Sequence, residues 1–168
     1  MTSAMTEMPT TYVTSVEELY WGAILVAVSL TMHAIGMMGT LRASDWFQRR
    51  FGDGSFAIGM ARLILATWMI TLSHLLQVMM WAGFFQWKHC FVNYSTAAYF
   101  ALNEYTTVAS ALDLPDNWRL LEGMIATAGL IGFAWSTGIL FTLAQQFQDL
   151  RLKQLGSRRG HAAAGAGD

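Results

Sequence analysis

Residues 99–113 read YFALNEYTTVASALD, a short amphipathic segment that runs into the triplet Thr106-Thr107-Val108. The segment lies between two long apolar spans, and the second span opens with WRLLEG at residues 118–123. It is too apolar for a free loop and too interrupted to cross a bilayer. The pattern is typical of a re-entrant loop, which membranes tolerate only inside protein or along a water-filled cavity. A monomer with few helices cannot enclose such a loop, so we predict a symmetric oligomer around it.

The composition predicts an all-α membrane protein. Only 12% of the 168 residues are charged and 54% are hydrophobic, whereas soluble domains carry about a quarter charged residues. Asp, Glu, Lys and Arg are absent from 19–41, 63–87 and 123–148, and each gap exceeds the roughly 20 residues needed to cross the hydrocarbon core. We therefore predict transmembrane helices at 18–42, 60–87 and 119–147.

The remaining segments are a tail at 1–17, a connector at 43–59, a region between the second and third helices, and a tail at 148–168 with a disordered end. Within the between-helix region, residues 94–107 can form about four helical turns. Helical spacing predicts that five residues share one face of this helix. They are Ala97, Ala98, Ala101, Leu102 and Tyr105.

The basic residues predict the orientation of the chain. Four arginines lie at 42–62 and four Lys or Arg residues at 151–159, but only Lys88 and Arg119 lie between the second and third helices. The positive-inside rule then places the N-terminus and the 88–118 segment outside and the C-terminus in the cytoplasm. The net charge of −1 predicts no nucleic-acid partner.

From the second helix onward the order of short motifs carries a family resemblance. The motifs are His74-Leu75-Leu76-Gln77 with Trp81-Ala82, Tyr99-Phe100, Tyr105-Thr106-Thr107-Val108, Trp118-Arg119-Leu120-Leu121-Glu122-Gly123, and Gly132-Phe133-Ala134-Trp135-Ser136-Thr137. The chain resembles small prokaryotic ion channels with a potassium-channel pore. The resemblance implies a pore domain at 60–147 in a homotetramer of the bacterial inner membrane. Residues 60–87 would form its outer helix, 94–107 its pore helix, 108–117 its filter-like loop and 119–147 its inner helix, with 18–42 peripheral.

The filter-like loop departs from the family at its two glycines. Those positions hold Ala109 and Ala111, where the family turns successive carbonyls toward the ion through left-handed backbone. A residue with a Cβ resists that conformation by roughly 1 kcal/mol or more. We therefore expect a rebuilt entrance that passes monovalent cations with weak or no potassium selectivity, or a closed one.

The resemblance also implies which residues form the site. The filter and pore lining would comprise Thr106, Thr107, Val108, Ala109, Ser110, Ala111 and Asp113. Glu104 is a carboxylate in a membrane-embedded segment, where it would either hold a cation or brace the loop. Gly129, Gly132 and Phe133 would give the inner helix a bend or gate, although close helix packing explains the glycines equally well.

Two histidines leave a different interpretation open. His33 and His74 lie mid-span in helices of opposite direction, so they are predicted at similar depth. Paired histidines with nearby methionines suit copper or haem, which would make the chain a redox membrane subunit. The other interpretation is two neutral packing histidines. No nucleophile-and-base constellation or phosphate-binding loop is visible, so we predict no enzyme and no cofactor. A non-conducting scaffold with the channel fold is the third alternative.

Overall fold

The computed structural model describes residues 13–52 and 56–164, and within these ranges the chain is helical and contains no strand. Its helices are α1 (Val16–Phe51), α2 (Phe56–Trp87), α3 (Tyr94–Tyr105) and α4 (Leu120–Ala164), and a single 3-10 turn at Asp116–Trp118 precedes α4. The described residues contain three stretches long and apolar enough to cross a membrane, which are α1, α2 and 116–149. This confirms three helices of sufficient length and apolarity where the charge-free gaps predict them.

Most of the segment predicted as a connector, 43–59, is helical in the structure. Helix α1 begins after Ser15, whose hydroxyl accepts the Glu18 amide N–H at 3.0 Å, and it continues to Gly52, which has a φ of 74°. Its 36 residues extend about 54 Å at 1.5 Å per residue, more than the roughly 30 Å hydrocarbon core. The helix therefore does not stop at the arginines near its end, Arg42, Arg49 and Arg50. Residues 53–55 of the predicted connector lie outside the described part of the chain.

The third predicted helix is also longer than the prediction. Helix α4 has 45 residues and runs through most of the expected tail to Ala164, because charged side chains such as Lys and Arg are themselves good helix formers. Residues 1–12 and 165–168, to which the two terminal predictions extend, lie outside the described part of the chain. At its other end α4 starts one residue later than expected, after the 3-10 turn.

Two sets of polar contacts connect the long helices, one at each end of the bundle. At the end that carries α3, here called the loop end, Lys88 pairs with Glu17 at 3.1 Å. At the other end the buried Arg62 donates to Ser44 and Gln48 of α1 and to Gln146 of α4. Lys88 therefore connects the end of α2 to the start of α1, and Arg62 connects α2 to both α1 and α4.

The hydrophobic core occupies the loop end and forms around α3. Aromatic and aliphatic residues of α2 and α4 surround this short helix, and the fully buried ones include Trp81, Phe85, Leu121 and Ile125. Helix α3 contacts both α2 and α4. The core therefore positions α3 and the loop that follows it.

Candidate functional site

Helix α3 is a half-length helix enclosed on one face. Its 12 residues extend about 18 Å, too short to cross a bilayer. The buried face comprises Ala97, Phe100, Ala101 and Tyr105. The sequence prediction put Leu102 on this face, but Leu102 is 43% exposed, because the ring of Phe100 packs against Phe85 and Phe91 instead. The helix ends at Tyr105, two residues earlier than predicted.

The end of α3 lies directly against two glycines of α4. A Cβ at Gly129 would lie 2.0 Å from the carbonyl oxygen of Tyr105, and one at Gly132 would lie 3.1 Å from the Tyr105 hydroxyl. A Cβ at Gly138 would meet no atom within 4 Å. The two glycines singled out as a possible bend are therefore the ones that let α3 approach α4.

The loop after α3 contains left-handed backbone at alternate residues. Thr107 has a φ of 61° and Ala109 a φ of 65°, whereas Ala111 keeps a negative φ. Between the two left-handed residues, the side chain of Val108 is 70% exposed. Each such residue with a Cβ costs about 1 kcal/mol or more. The left-handed positions are thus 107 and 109. They lie two residues before positions 109 and 111, where the resemblance to channel filters places the glycines.

Three glutamates hold the backbone around this loop. Glu104 accepts the Ser110 amide N–H at 2.8 Å. Glu122 accepts the amide N–H of Leu114 at 2.9 Å, and Glu18 accepts that of Leu120 at the start of α4. The Glu104 carboxylate therefore braces the loop through this hydrogen bond, which is the second of the two roles predicted for it. Asp113 is exposed between Ser110 and Leu114, the first and second of these contacts.

A closed ring of hydrogen bonds, here called the hydrogen-bond ring, joins all four helices beneath the end of α3. In order, its members are His33, Gln77, Tyr105, His74 and Ser136. The distances are 3.1 Å from His33 Nδ1 to Gln77 Nε2 and from Gln77 Oε1 to the Tyr105 hydroxyl. They are 2.9 Å from that hydroxyl to His74 Nδ1 and 3.0 Å from His74 Nε2 to Ser136 Oγ. Ser136 Oγ closes the ring to His33 Nε2 at 3.3 Å.

Gln77 fixes the direction of the donors around the ring. Its Oε1 accepts from the hydroxyls of both Ser29 and Tyr105, and its Nε2 donates to the carbonyl of Ser73. Turning the amide round would set its oxygen against that carbonyl, where neither atom can donate. The amide nitrogen has no lone pair to offer, so it must donate its second N–H to Nδ1 of His33.

The remaining protons follow in one sense around the ring. Because His33 accepts at Nδ1, its neutral form carries the proton on Nε2 and donates to Ser136. The Ser136 hydroxyl then donates to Nε2 of His74, and His74 donates from Nδ1 to Tyr105. Tyr105 returns its proton to Gln77. Every member thus has a partner for each donor with both imidazoles neutral, which is how a buried polar network contributes stability.

The ring bears directly on the metal and haem interpretation of His33 and His74. Their ring centroids lie 5.0 Å apart, as their predicted similar depth requires. All four imidazole nitrogens take part in hydrogen bonds of the ring, so ligation at either residue would break it. Within the described ranges, no group of three or more His, Cys, Asp or Glu side chains converges.

Phe133 belongs to the surroundings of the ring. Its side chain stacks on His74, with ring centroids 4.6 Å apart and planes inclined by 31°, and also contacts the edge of Tyr105. The residue proposed as part of a gate therefore packs beside the end of α3. It remains 37% exposed.

The loop end also carries an aromatic cage around a lysine. The Lys88 ammonium lies 4.8–5.0 Å from the ring centroids of Trp21, Trp87 and Trp118, one residue from each spanning helix or its entrance. The neighbouring Cys90 is a half-buried free thiol. Burial raises the pKa of that thiol to about 11, against smaller opposing effects of a backbone hydrogen bond and Lys88.

Sequence reasoning missed Gln77, Tyr105 and Ser136 as members of a site, although each stands in a motif of the family resemblance. One signal was available, because Gln77 follows His74 by one helical turn and Ser29 precedes His33 by one turn in charge-free spans. No protein-family model, no curated protein and no solved structure matches this chain.

Proposed function

We propose that the chain is an ion-channel-like integral membrane protein that conducts cations as a homotetramer. In this proposal α2 is the outer helix, α3 the re-entrant pore helix and α4 the inner helix, with α1 peripheral. The segment from Thr106 to Asp113 surrounds the axis of four subunits. The basic residues favour an outer location for this segment and a cytoplasmic end for α4.

The observation that carries the proposal is the loop after α3. A buried half-length helix leads into backbone with left-handed φ at Thr107 and Ala109, an alternation that aims successive carbonyls in one direction. The same loop exposes Thr107, Val108 and Ala109. Strained backbone persists where surrounding structure over-determines it and is concentrated at functional sites. Enclosure by other subunits would give these exposed groups their partners.

Helix α4 supports the same arrangement. Between the buried positions that contact α3, it leaves one face uncovered along its length. This face comprises the small or polar residues Thr127, Ala134, Gly138 and Gln145 and, beside them, the apolar Ile131 and Phe141. The small and polar members of this face, at helical spacing, suit an inner helix that lines a hydrated path.

The loop geometry favours weak or absent potassium selectivity. Ala111 lacks the left-handed conformation that the second family glycine provides, so the stack of carbonyls would be shorter. Thr106, Thr107 and Ser110 supply hydroxyl oxygens beside the remaining carbonyls. The permeant ions we expect are monovalent cations that keep part of their hydration.

Ion flux into liposomes tests the proposal. Purified protein should pass both K⁺ and Na⁺, and Ala109→Gly with Ala111→Gly should raise the K⁺ to Na⁺ ratio, because glycine permits the longer carbonyl stack. Gly83 and Gly123, which lie away from the loop and whose added Cβ would meet no atom, provide matched alanine substitutions that should leave the ratio unchanged.

The oligomeric state separates the ways in which this proposal can fail. A monomer, or a dimer without a shared axis, rules out the pore altogether. A four-fold oligomer without flux indicates the non-conducting scaffold. If the double glycine variant conducts with unchanged selectivity, the filter has been placed in the wrong segment. Visible absorption or stoichiometric copper in the purified protein supports the redox interpretation instead.

A further inference from the structure

The two histidines of the hydrogen-bond ring differ in how they can accept a second proton. His33 is fully buried, whereas His74 is half-buried. On His33 the proton would go to Nδ1, which already accepts an N–H of Gln77. Gln77 cannot turn round because its amide also donates to the Ser73 carbonyl. A second proton on His33 would therefore set two donors against each other in a buried site.

His74 has a way to accommodate the same charge. Its second proton would go to Nε2, which faces Ser136 Oγ at 3.0 Å. The Ser136 hydroxyl can rotate, and Met37 Sδ lies 3.9 Å from it as a second, weaker acceptor. With the hydroxyl turned to sulfur, Ser136 Oγ accepts from both imidazoles. The ring thus takes one proton at His74 without moving a heavy atom.

The aromatic surroundings favour the same residue. Phe133 presents its ring to His74 with centroids 4.6 Å apart and planes inclined by 31°, and a cation near an aromatic face is stabilised by the ring quadrupole. The aromatic neighbour of His33 is Trp135, at 5.7 Å and inclined by 54°. An imidazolium at position 74 therefore has closer support than one at position 33.

The groups that face His74 can be named helix by helix. Helix α1 contributes His33, α3 contributes Tyr105, and α4 contributes Ser136 and Phe133. Along α2 itself the nearest charged side chain is Arg62, twelve residues away and about 18 Å distant by helical rise. Glu104 precedes Tyr105 in sequence but its carboxylate accepts from Ser110. The local field at His74 is thus set by neutral groups and by the second imidazole.

We propose that His74 is a proton-binding site that couples external acidity to the end of α3. The bond from His74 Nδ1–H to the Tyr105 hydroxyl becomes charge-assisted when Nε2 is protonated, and such bonds are shorter and stronger. Tyr105 is the last residue of α3 and directly precedes the loop. Proton uptake therefore tightens the anchor of the loop, while His33 keeps its neutral form.

Nitrogen-15 solid-state NMR of histidine-labelled, full-length protein in phosphatidylcholine vesicles tests the assignment between pH 8 and pH 4. At pH 8 we expect two neutral tautomers, protonated on Nε2 for His33 and on Nδ1 for His74. On acidification His74 should gain its second proton first. The spectra of His33→Gln and His74→Gln assign the signals. Met37→Leu keeps the side-chain volume but removes the sulfur acceptor, so it should lower the midpoint of His74 by about half a pH unit.

Four results would overturn the inference. They are the opposite tautomers at pH 8, protonation of His33 before or together with His74, an unshifted midpoint in Met37→Leu, and two histidines that stay neutral throughout the range. None of these readouts involves ion flux, so a protein that fails to conduct can still pass this test. A conducting tetramer whose His74 stays neutral overturns this inference alone.

Discussion

The backbone carbonyl of Tyr105 faces Gly129 so closely that a Cβ at position 129 would lie 2.0 Å from the oxygen. Backbone cannot rotate away as a side chain can, so Gly129→Ala must separate α3 from α4. Overpacking of this kind costs about 1–3 kcal/mol. We expect Gly129→Ala to lower the thermal unfolding midpoint in detergent micelles, and to change the loop that begins at Tyr105.

Gly138→Ala is the matched control for that substitution, because it makes the same change in the same helix where no atom lies within 4 Å. Alanine is favoured over glycine within a helix by up to about 1 kcal/mol, so this variant should melt at the same temperature or higher. Equal destabilisation by both substitutions would show that the stability of the protein does not depend on the close approach of α3 at Gly129.

A second prediction concerns the amide that fixes the direction of the hydrogen-bond ring. Gln77→Leu removes the partners of Ser29, Tyr105 and His33 at once. Each buried polar group left unpaired costs about 1–3 kcal/mol. We expect a loss of at least about 3 kcal/mol, measured as a lower unfolding midpoint by circular dichroism.

Gln86→Leu makes the same replacement nine residues further along α2 and provides its control. The buried Oε1 of Gln86 accepts no hydrogen bond within the described part of the chain, so its removal should be neutral or stabilising. The prediction fails when the two leucine variants have the same melting temperature.

The third prediction follows from the contact between Glu104 and the Ser110 amide. Glu104→Ala removes a charged acceptor, and hydrogen bonds to charged groups contribute about 1.5–3 kcal/mol. Hydrogen exchange of the Ser110 amide should therefore accelerate by about tenfold or more. Glu104→Gln retains an acceptor oxygen at the same reach and should restore part of the protection.

Asp113→Ala changes an exposed carboxylate in the same loop and should leave exchange at Ser110 unaltered. If Glu104→Ala also leaves that exchange unaltered, the glutamate does not brace the loop, and its role as a cation ligand becomes the better explanation.

The spans were predictable because they depend on one property, the absence of charge over more residues than a bilayer requires. Their ends were not, since α1 and α4 continue as helices beyond the charge-free stretches. The buried face of α3 was predicted in part. Leu102 satisfies the helical spacing, but Phe100 is buried because Phe85 and Phe91 lie on its side, which periodicity alone cannot reveal.

The candidate site divides in the same way. The similar depth of His33 and His74 was predictable, because they lie mid-span in two antiparallel helices. Gln77 was within reach of the same reasoning, because it lies one helical turn from His74. The pairing of Ser136 and Tyr105 with these residues depends on how α3 and α4 are rotated about their axes. That rotation is set by Gly129 against the Tyr105 carbonyl, a contact between residues that show no pattern in common along the sequence.

The last prediction concerns the thiol of Cys90. Because burial raises the pKa of Cys90 to about 11 and only the thiolate reacts, about one thiol in a thousand is reactive at pH 8. Alkylation by iodoacetamide should therefore accelerate about tenfold per pH unit from pH 7 to about pH 10. A cysteine introduced by Ala111→Cys in a Cys90→Ser background lies in the exposed part of the loop and should reach its plateau near pH 9.

Lys88→Gln removes a charge that lowers the pKa of Cys90, so it should slow alkylation of Cys90 further at every pH below the plateau. A plateau at the same pH for Cys90 and the introduced cysteine would show that Cys90 is not shielded by the loop end.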